Sequence, residues 1–174
     1  MHLSTHNWMR AEPLGTTLKR IKEYGYESIE ISGEPAQYDV KETRTLLKEH
    51  GIRCWGAVTL TLGERNLAAK DEGQRARSVD YVKSVITMVS EFDGEIITLV
   101  PATVGKVVPD ATEQEEWKWV VDATRECFAH DGEFHQLLAV GFNIGADIEN
   151  DGVAACHRGP ACRQGGAMHT FAAE

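Results

Sequence analysis

The chain has 174 residues, 42% hydrophobic and 26% charged, which is enough for one sizeable core and a single expected domain. Acidic residues outnumber basic ones 27 to 18, and the net charge of -9 argues against general affinity for nucleic-acid backbone or an anionic membrane. No apolar run reaches the length of a membrane span, and the N-terminus around His2, His6 and Arg10 lacks a signal peptide's apolar segment, so a cytoplasmic location is expected.

Along the chain, an amphipathic helix, a glycine and a short β-branched strand recur as a unit. A first strand is predicted from Leu3 to Trp8. A helix follows from Pro13, whose fixed φ suits a first helical position, with Leu14, Leu18 and Ile21 as its apolar stripe and Gly25 at its end. The second strand is Tyr26-Glu27-Ser28-Ile29-Glu30-Ile31. Asp39 with Glu42 three residues on resembles a capping box, Leu46 and Leu47 supply a buried face, and Gly51 closes that helix. A third strand is expected from about Arg53 to Leu60, then a polar loop from Gly63 to Gly73. The next helix is long, with Val79, Val82, Val85, Ile86 and Val89 on one side and Gly94 at its end. Gly25, Gly51 and Gly94 are each suited to the left-handed turn that terminates a helix. A fourth strand, Ile96 to Val100, stops at Pro101. Thr112 and Glu115 form a second capping box, ahead of a face made by Trp117, Val120, Val121, Thr124, Cys127 and Phe128.

Beyond His130 the pattern lapses. Lysine is absent after Lys118, glycine and alanine accumulate, and only Gly141 to Ala146 reads as a weak strand. Residues 1–130 are therefore expected to form the βα part and 131–174 a poorly ordered or irregular glycine- and alanine-rich tail. Four strands alternating with four helices imply a parallel α/β sheet with right-handed crossovers. No G-x-G-x-x-G follows the first strand, which disfavours a dinucleotide-binding doubly wound sheet. In the competing β/α barrel, function lies at the C-terminal strand ends, which here carry His6, Trp8, Glu30, Glu34, Trp55, Thr59 and Thr98.

Glu30 stands between two isoleucines in a strand expected to be buried on both faces. An unpaired carboxylate there would cost on the order of several kcal/mol. Two readings stay open: a carboxylate in the barrel interior that binds a sugar hydroxyl or assists proton transfer, or a structural ion pair with a cation such as Arg53. His6 is either a substrate ligand or a hydrogen-bonded strand residue. Trp8 and Trp55 are either an apolar wall for a sugar ring or plain packing.

The run Ser4-Thr5-His6-Asn7-Trp8, then Gly25-Tyr26-Glu27-Ser28-Ile29-Glu30-Ile31, Leu46-Leu47-Lys48-Glu49-His50-Gly51-Ile52 and Glu116-Trp117-Lys118-Trp119, resembles the sugar phosphate isomerase/epimerase family with its xylose-isomerase-like barrel. The resemblance covers about the first three quarters of the chain. It implies a (βα)8 TIM barrel, a divalent metal such as manganese or magnesium, and proton transfer beside a carbonyl, with elimination on polyols or glycosides as a related chemistry. From their places at the strand ends, Glu30 is the catalytic candidate, and His6, Trp8 and Trp55 are substrate-binding candidates. Asp147, at the place of a fifth-strand ligand, and Glu149 are the metal candidates, with Asn150 at the motif's asparagine. The family's E-P-L-N-R segment is missing, and Met168-His169-Thr170-Phe171 only echoes its sixth-strand motif.

Four βα units take about 130 residues, so eight would need roughly 260. The expected fold is thus a partial barrel of about four units whose open edges invite another chain. The expected function is that of a sugar isomerase/epimerase, incomplete in this chain; the alternative is a non-catalytic partial barrel that assembles with another chain, including as a homo-oligomer. A small sugar-like substrate is the expected partner, without nucleic acid or membrane. Cys54 and Cys127 read as reduced core thiols. Cys156, His157, Cys162 and His169 have residue types suited to zinc, but no C-x-x-C knuckle.

Overall fold

Local signals and long-range pairing agree over most of the chain. The computed structural model describes residues 3–102 and 108–130 and a strand at Leu137–Ala139. Five strands, β1 (Ser4–His6), β2 (Ser28–Gly33), β3 (Arg53–Thr59), β4 (Ile96–Leu99) and β5 (Leu137–Ala139), form one sheet in strict chain order. Every pair is parallel. Helices α1 (Leu14–Glu23), α2 (Val40–His50), α3 (Glu72–Glu91) and α4 (Glu113–Phe128) make the crossovers. Because strand order equals chain order and crossovers are right-handed, the helices lie on one face, as on the outside of a β/α barrel.

The helices begin and end where their caps dictate. Asp39 accepts a hydrogen bond from the Glu42 N–H at 2.8 Å, and Gly51 closes α2 in the left-handed region at φ 59°. Thr112 and Glu115 complete a reciprocal capping box on α4. Gly94 does not play the part expected of it. The left-handed residue after α3 is Asp93, at φ 57°. Aspartate tolerates that conformation better than most side chains. Gly94 is instead held by space, since a Cβ there would lie 2.7 Å from Val89 Cγ1.

The core lies between sheet and helices. Leu18 and Ile21 of α1, Leu47 of α2 and all five predicted apolar residues of α3 are buried against Ile29, Ile31, Ala57, Ile97 and Leu99. Each such valine, leucine or isoleucine contributes roughly 1.5–3 kcal/mol by leaving water. On α4, Val120, Thr124 and Cys127 are buried as expected, and Ala123 joins them.

The stretch after β3 differs from its prediction. Leu67, Ala68 and Ala69 are at most 1% exposed, and α3 already starts at Glu72, capped by Asp71. The Leu67 N–H donates to Pro101 O at 2.8 Å, the Asn66 N–H donates to Ser78 Oγ at 2.8 Å, and Asn66 Oδ1 accepts from the Ala68 N–H. Polar side chains there satisfy the backbone and let three small or apolar residues sink under the sheet's rim. A further difference is β5, which pairs with β4 at Ile97–Leu137, Thr98–Leu138 and Leu99–Ala139, within the segment expected to be irregular. Three residues are too few for a periodic signal. The weak strand at 141–146 lies outside the described residues.

Candidate functional site at the strand ends

Alternation along the strands separates the two faces. Ile29 and Ile31 face the helices, so Ser28 and Glu30 face the side that a closed barrel would enclose. Register places His6 beside Glu30, and Ser4 beside Ser28 one layer below. The hydroxyls of Ser4 and Ser28 are buried there, without a hydrogen-bond partner among the described residues. The Glu30 carboxylate is half-buried, and Thr98 Oγ1 of β4 donates to its Oε1 at 2.7 Å. That bond crosses β3 at Gly56, the register partner of both Glu30 and Ile96. A Cβ at Gly56 would lie 2.0 Å from Ile96 O, so only glycine fits.

Arg53 is exposed and pairs in register with Ser28, not Glu30. Among the described residues Glu30 has no cationic partner, and the structural ion pair is ruled out for them. Its carboxylate accepts the neutral hydroxyl of Thr98.

The aromatic residues separate. His6 and Trp8 stack with ring centroids 4.6 Å apart and planes 23° from parallel, and both are exposed, Trp8 by 43%. Trp55 is not at a strand end. A register shift between Ile29 and Glu30 puts it on a bulge near the start of β3, level with the lower part of β2. Its carbonyl accepts from the Glu95 N–H at 3.0 Å. Thr59 is buried and bridges β3 to the end of β4, its Oγ1 accepting from the Val100 N–H at 2.8 Å.

Glu34, just past β2, is engaged by Arg65 through two bonds of 2.6 and 2.9 Å. Arg65 also donates to Leu60 O at 3.1 Å and lies 3.9 Å over the Tyr81 ring. The Glu34 carboxylate holds the Arg65 guanidinium above its already high range. Tyr81 of α3 donates to Gly33 O at 2.6 Å and accepts from the Leu60 N–H at 2.7 Å. One phenol thus ties the ends of β2 and β3, and burial pushes its own pKa up. Neither Arg65 nor Tyr81 stood out in the sequence, because their partners lie 31 and 48 residues away.

Among the described residues the divalent metal implied by the resemblance has no fitting donor set. Among the described residues no group of three or more His, Cys, Asp or Glu could hold an ion, and the carboxylate of Glu34 is already bound. Asp147, Glu149 and Asn150, the sixth-strand echo at 168–171 and the Cys156, His157, Cys162 and His169 set lie outside the described residues. Cys54 and Cys127 are free, buried thiols. No helix among the described residues is long and apolar enough to cross a membrane.

Known proteins share this architecture. The chain is similar to D-psicose 3-epimerase with D-tagatose from Clostridium cellulolyticum H10, with a TM-score of 0.63 and 16% identity over 75% of this chain and 48% of that one. It is similar to D-allulose 3-epimerase from Methylomonas sp. in complex with D-allulose, with a TM-score of 0.66 and 20% identity over 75% and 47%. It is also similar to apo 3-keto-D-glucoside 4-epimerase from E. coli, with a TM-score of 0.61 and 23% identity over 76% and 53%. The chain spans about half the length of these structures. No curated protein matches it significantly. The profile of the xylose isomerase-like TIM barrel family matches residues 18–136, which begin in α1 and reach the threshold of β5. A match over more than half the sequence coincides with five consecutive parallel strands laid down in barrel order, and the chain belongs to the xylose isomerase-like TIM barrel family.

Proposed function

We propose that this chain supplies the N-terminal half of a sugar isomerase/epimerase barrel, with Glu30 as an acid-base group and the His6–Trp8 stack as a wall for the sugar. The observation that carries this reading is the Glu30 carboxylate at the strand ends, oriented by Thr98, unpaired with any cation among the described residues and adjacent to exposed stacked rings. A carboxylate so placed accepts a hydrogen bond from a sugar hydroxyl or takes a proton from carbon beside a carbonyl. The flat faces of His6 and Trp8 suit the apolar C–H face of a sugar ring. The metal implied by the family enters no step of this reading.

Solvent exchange tests it. The full chain, with and without added manganese, is incubated with D-allulose in deuterated water, and deuterium at the carbons flanking the carbonyl is followed by NMR. Incorporation that Glu30→Gln abolishes supports the reading. Absence of exchange under both conditions refutes catalysis by this chain, and exchange unaffected by Glu30→Gln removes Glu30 from it.

A second reading has its own observation. Leu3 is 56% and Met9 70% exposed, and both flank the open edge strand β1. An uncovered edge with apolar flanks suits pairing with a further strand, so a non-catalytic partial barrel that assembles through its edges, with a second copy as one partner, is the alternative. Native mass measurement distinguishes them: a dimer inactive toward D-allulose supports assembly alone.

A further inference from the structure

We infer that Asn7 is the positioning residue of the sugar wall, locking the bend that stacks His6 on Trp8 beside Glu30; this rests on the sugar-site reading above. Residues two apart on a straight strand stand about 6.6 Å from each other. The chain bends at Asn7, immediately after β1, and the His6 and Trp8 rings on either side of the bend lie 4.6 Å apart.

The Asn7 side chain uses both ends of its amide, the oxygen as acceptor and the nitrogen as donor. The Ser32 N–H can only donate, so Asn7 Oδ1 faces it, at 2.8 Å. The amide NH2 is thereby directed at Tyr38, and donates to Oη at 2.9 Å. Tyr38 Oη and Ser32 Oγ share a further hydrogen bond at 2.5 Å, in which either hydroxyl can donate. Three groups from the ends of β1 and β2 and from the lead-in to α2 close a ring of hydrogen bonds. The Tyr38 ring is braced edge-on against Phe92, a buried core residue, at 6.3 Å. The Asn7 backbone is pinned as well: its N–H donates to the carbonyl of Glu30 at 3.3 Å, and its carbonyl accepts from the Arg10 N–H at 3.4 Å. A rigid path therefore runs from the core through Tyr38 and Asn7 to the exposed rings, and it is anchored on the same residue whose carboxylate forms the site. Both rings are exposed, and the bend keeps the two in register with each other and with Glu30.

The test uses the full chain with 13C-labelled histidine, the His6 signal being assigned by its loss in His6→Gln. Stacking on Trp8 puts the His6 ring protons upfield of their position in the unfolded chain. Asn7→Ala is expected to move them most of the way to the unfolded position, Tyr38→Phe part of the way, and Asn7→Asp, which keeps an acceptor for the Ser32 N–H, the least. D-allulose titrated into the same samples is expected to bind Asn7→Ala about tenfold more weakly than wild type, with Asn7→Asp recovering most of that loss. Tyr38→Phe, which removes one oxygen, carries the test if Asn7→Ala fails to fold. An unchanged His6 signal in the folded Asn7→Ala or Tyr38→Phe chain overturns the inference, as does a lost stack with D-allulose affinity unaltered. If the wild-type chain binds no D-allulose while the stack still depends on Asn7, the sugar-site reading falls and the bend-locking role stands.

Discussion

Replacing Gly56 by alanine is the sharpest perturbation the sheet offers, because one methyl group would collide with the backbone of the neighbouring strand. The added Cβ would lie 2.0 Å from Ile96 O and 2.8 Å from Ile96 C, whereas ordinary contact begins near 3.4 Å. Backbone in the middle of a parallel ladder has no rotamer to change, so β3 and β4 would have to part by roughly 1 Å or more. Overpacking of this kind costs about 1–3 kcal/mol, and each ladder bond lengthened beyond use adds about 0.5–1.5 kcal/mol. A loss of about 3 kcal/mol is expected. Gly25→Ala is the control: Gly25 has φ 81° and nothing within 4 Å of an added Cβ, so it carries only the left-handed penalty of about 1–2 kcal/mol. Urea unfolding followed by circular dichroism measures both. A Gly56→Ala midpoint equal to or above that of Gly25→Ala would show that β3 and β4 accommodate the methyl group, and the close-approach argument would fail. Because Thr98 sits on the displaced strand, the same variant is expected to lose the Thr98–Glu30 bond.

The other predictions concern the rim and the core thiols. Tyr81→Phe strands the Leu60 N–H and the Gly33 carbonyl at once and is expected to cost about 1–3 kcal/mol in urea unfolding; unchanged stability would mean that water replaces the phenol freely. Burial pushes the thiols of Cys54 and Cys127 from an ordinary 9.0 up to about 12. The folded chain keeps protons that the unfolded chain gives up above pH 9, so this contribution is intact below pH 9 and is lost as pH rises toward 12, by about 1.4 kcal/mol per pH unit per thiol. Unfolding midpoints measured from pH 8 to 11 should fall accordingly in wild type and more gently in Cys127→Ala; identical slopes would refute a buried thiol at that position.

How much of this was legible from sequence depends on the range of the interaction. Asp39–Glu42 and Thr112–Glu115 are three residues apart and announce their helices directly, and the valine stripe of α3 needs only its own periodicity. Glu30 stood out for a local reason, a carboxylate between isoleucines, but its partner is 68 residues away, and no spacing rule reaches from Glu30 to Thr98. Trp55 sits lower in β3 than its sequence suggests, because a bulge is a property of the strand pair and leaves no mark on one strand alone. The loop after β3 looked like surface by composition, although its polar residues were satisfying backbone groups so that Leu67 could be buried. Asp93 took the turn assigned to Gly94 because the close packing of Val89 makes a different demand on that glycine.

The consecutive strand order bears on how the molecule is assembled in time. During synthesis the N-terminal residues emerge first, and since β1 to β5 pair strictly with their immediate predecessors, each new strand meets a template already made. Contacts close over one βα unit at a time, which keeps the loop-closure cost of every step small and similar. A slow codon or a pause between units would therefore leave a shorter sheet of the same kind, and vectorial growth needs no later rearrangement of strands.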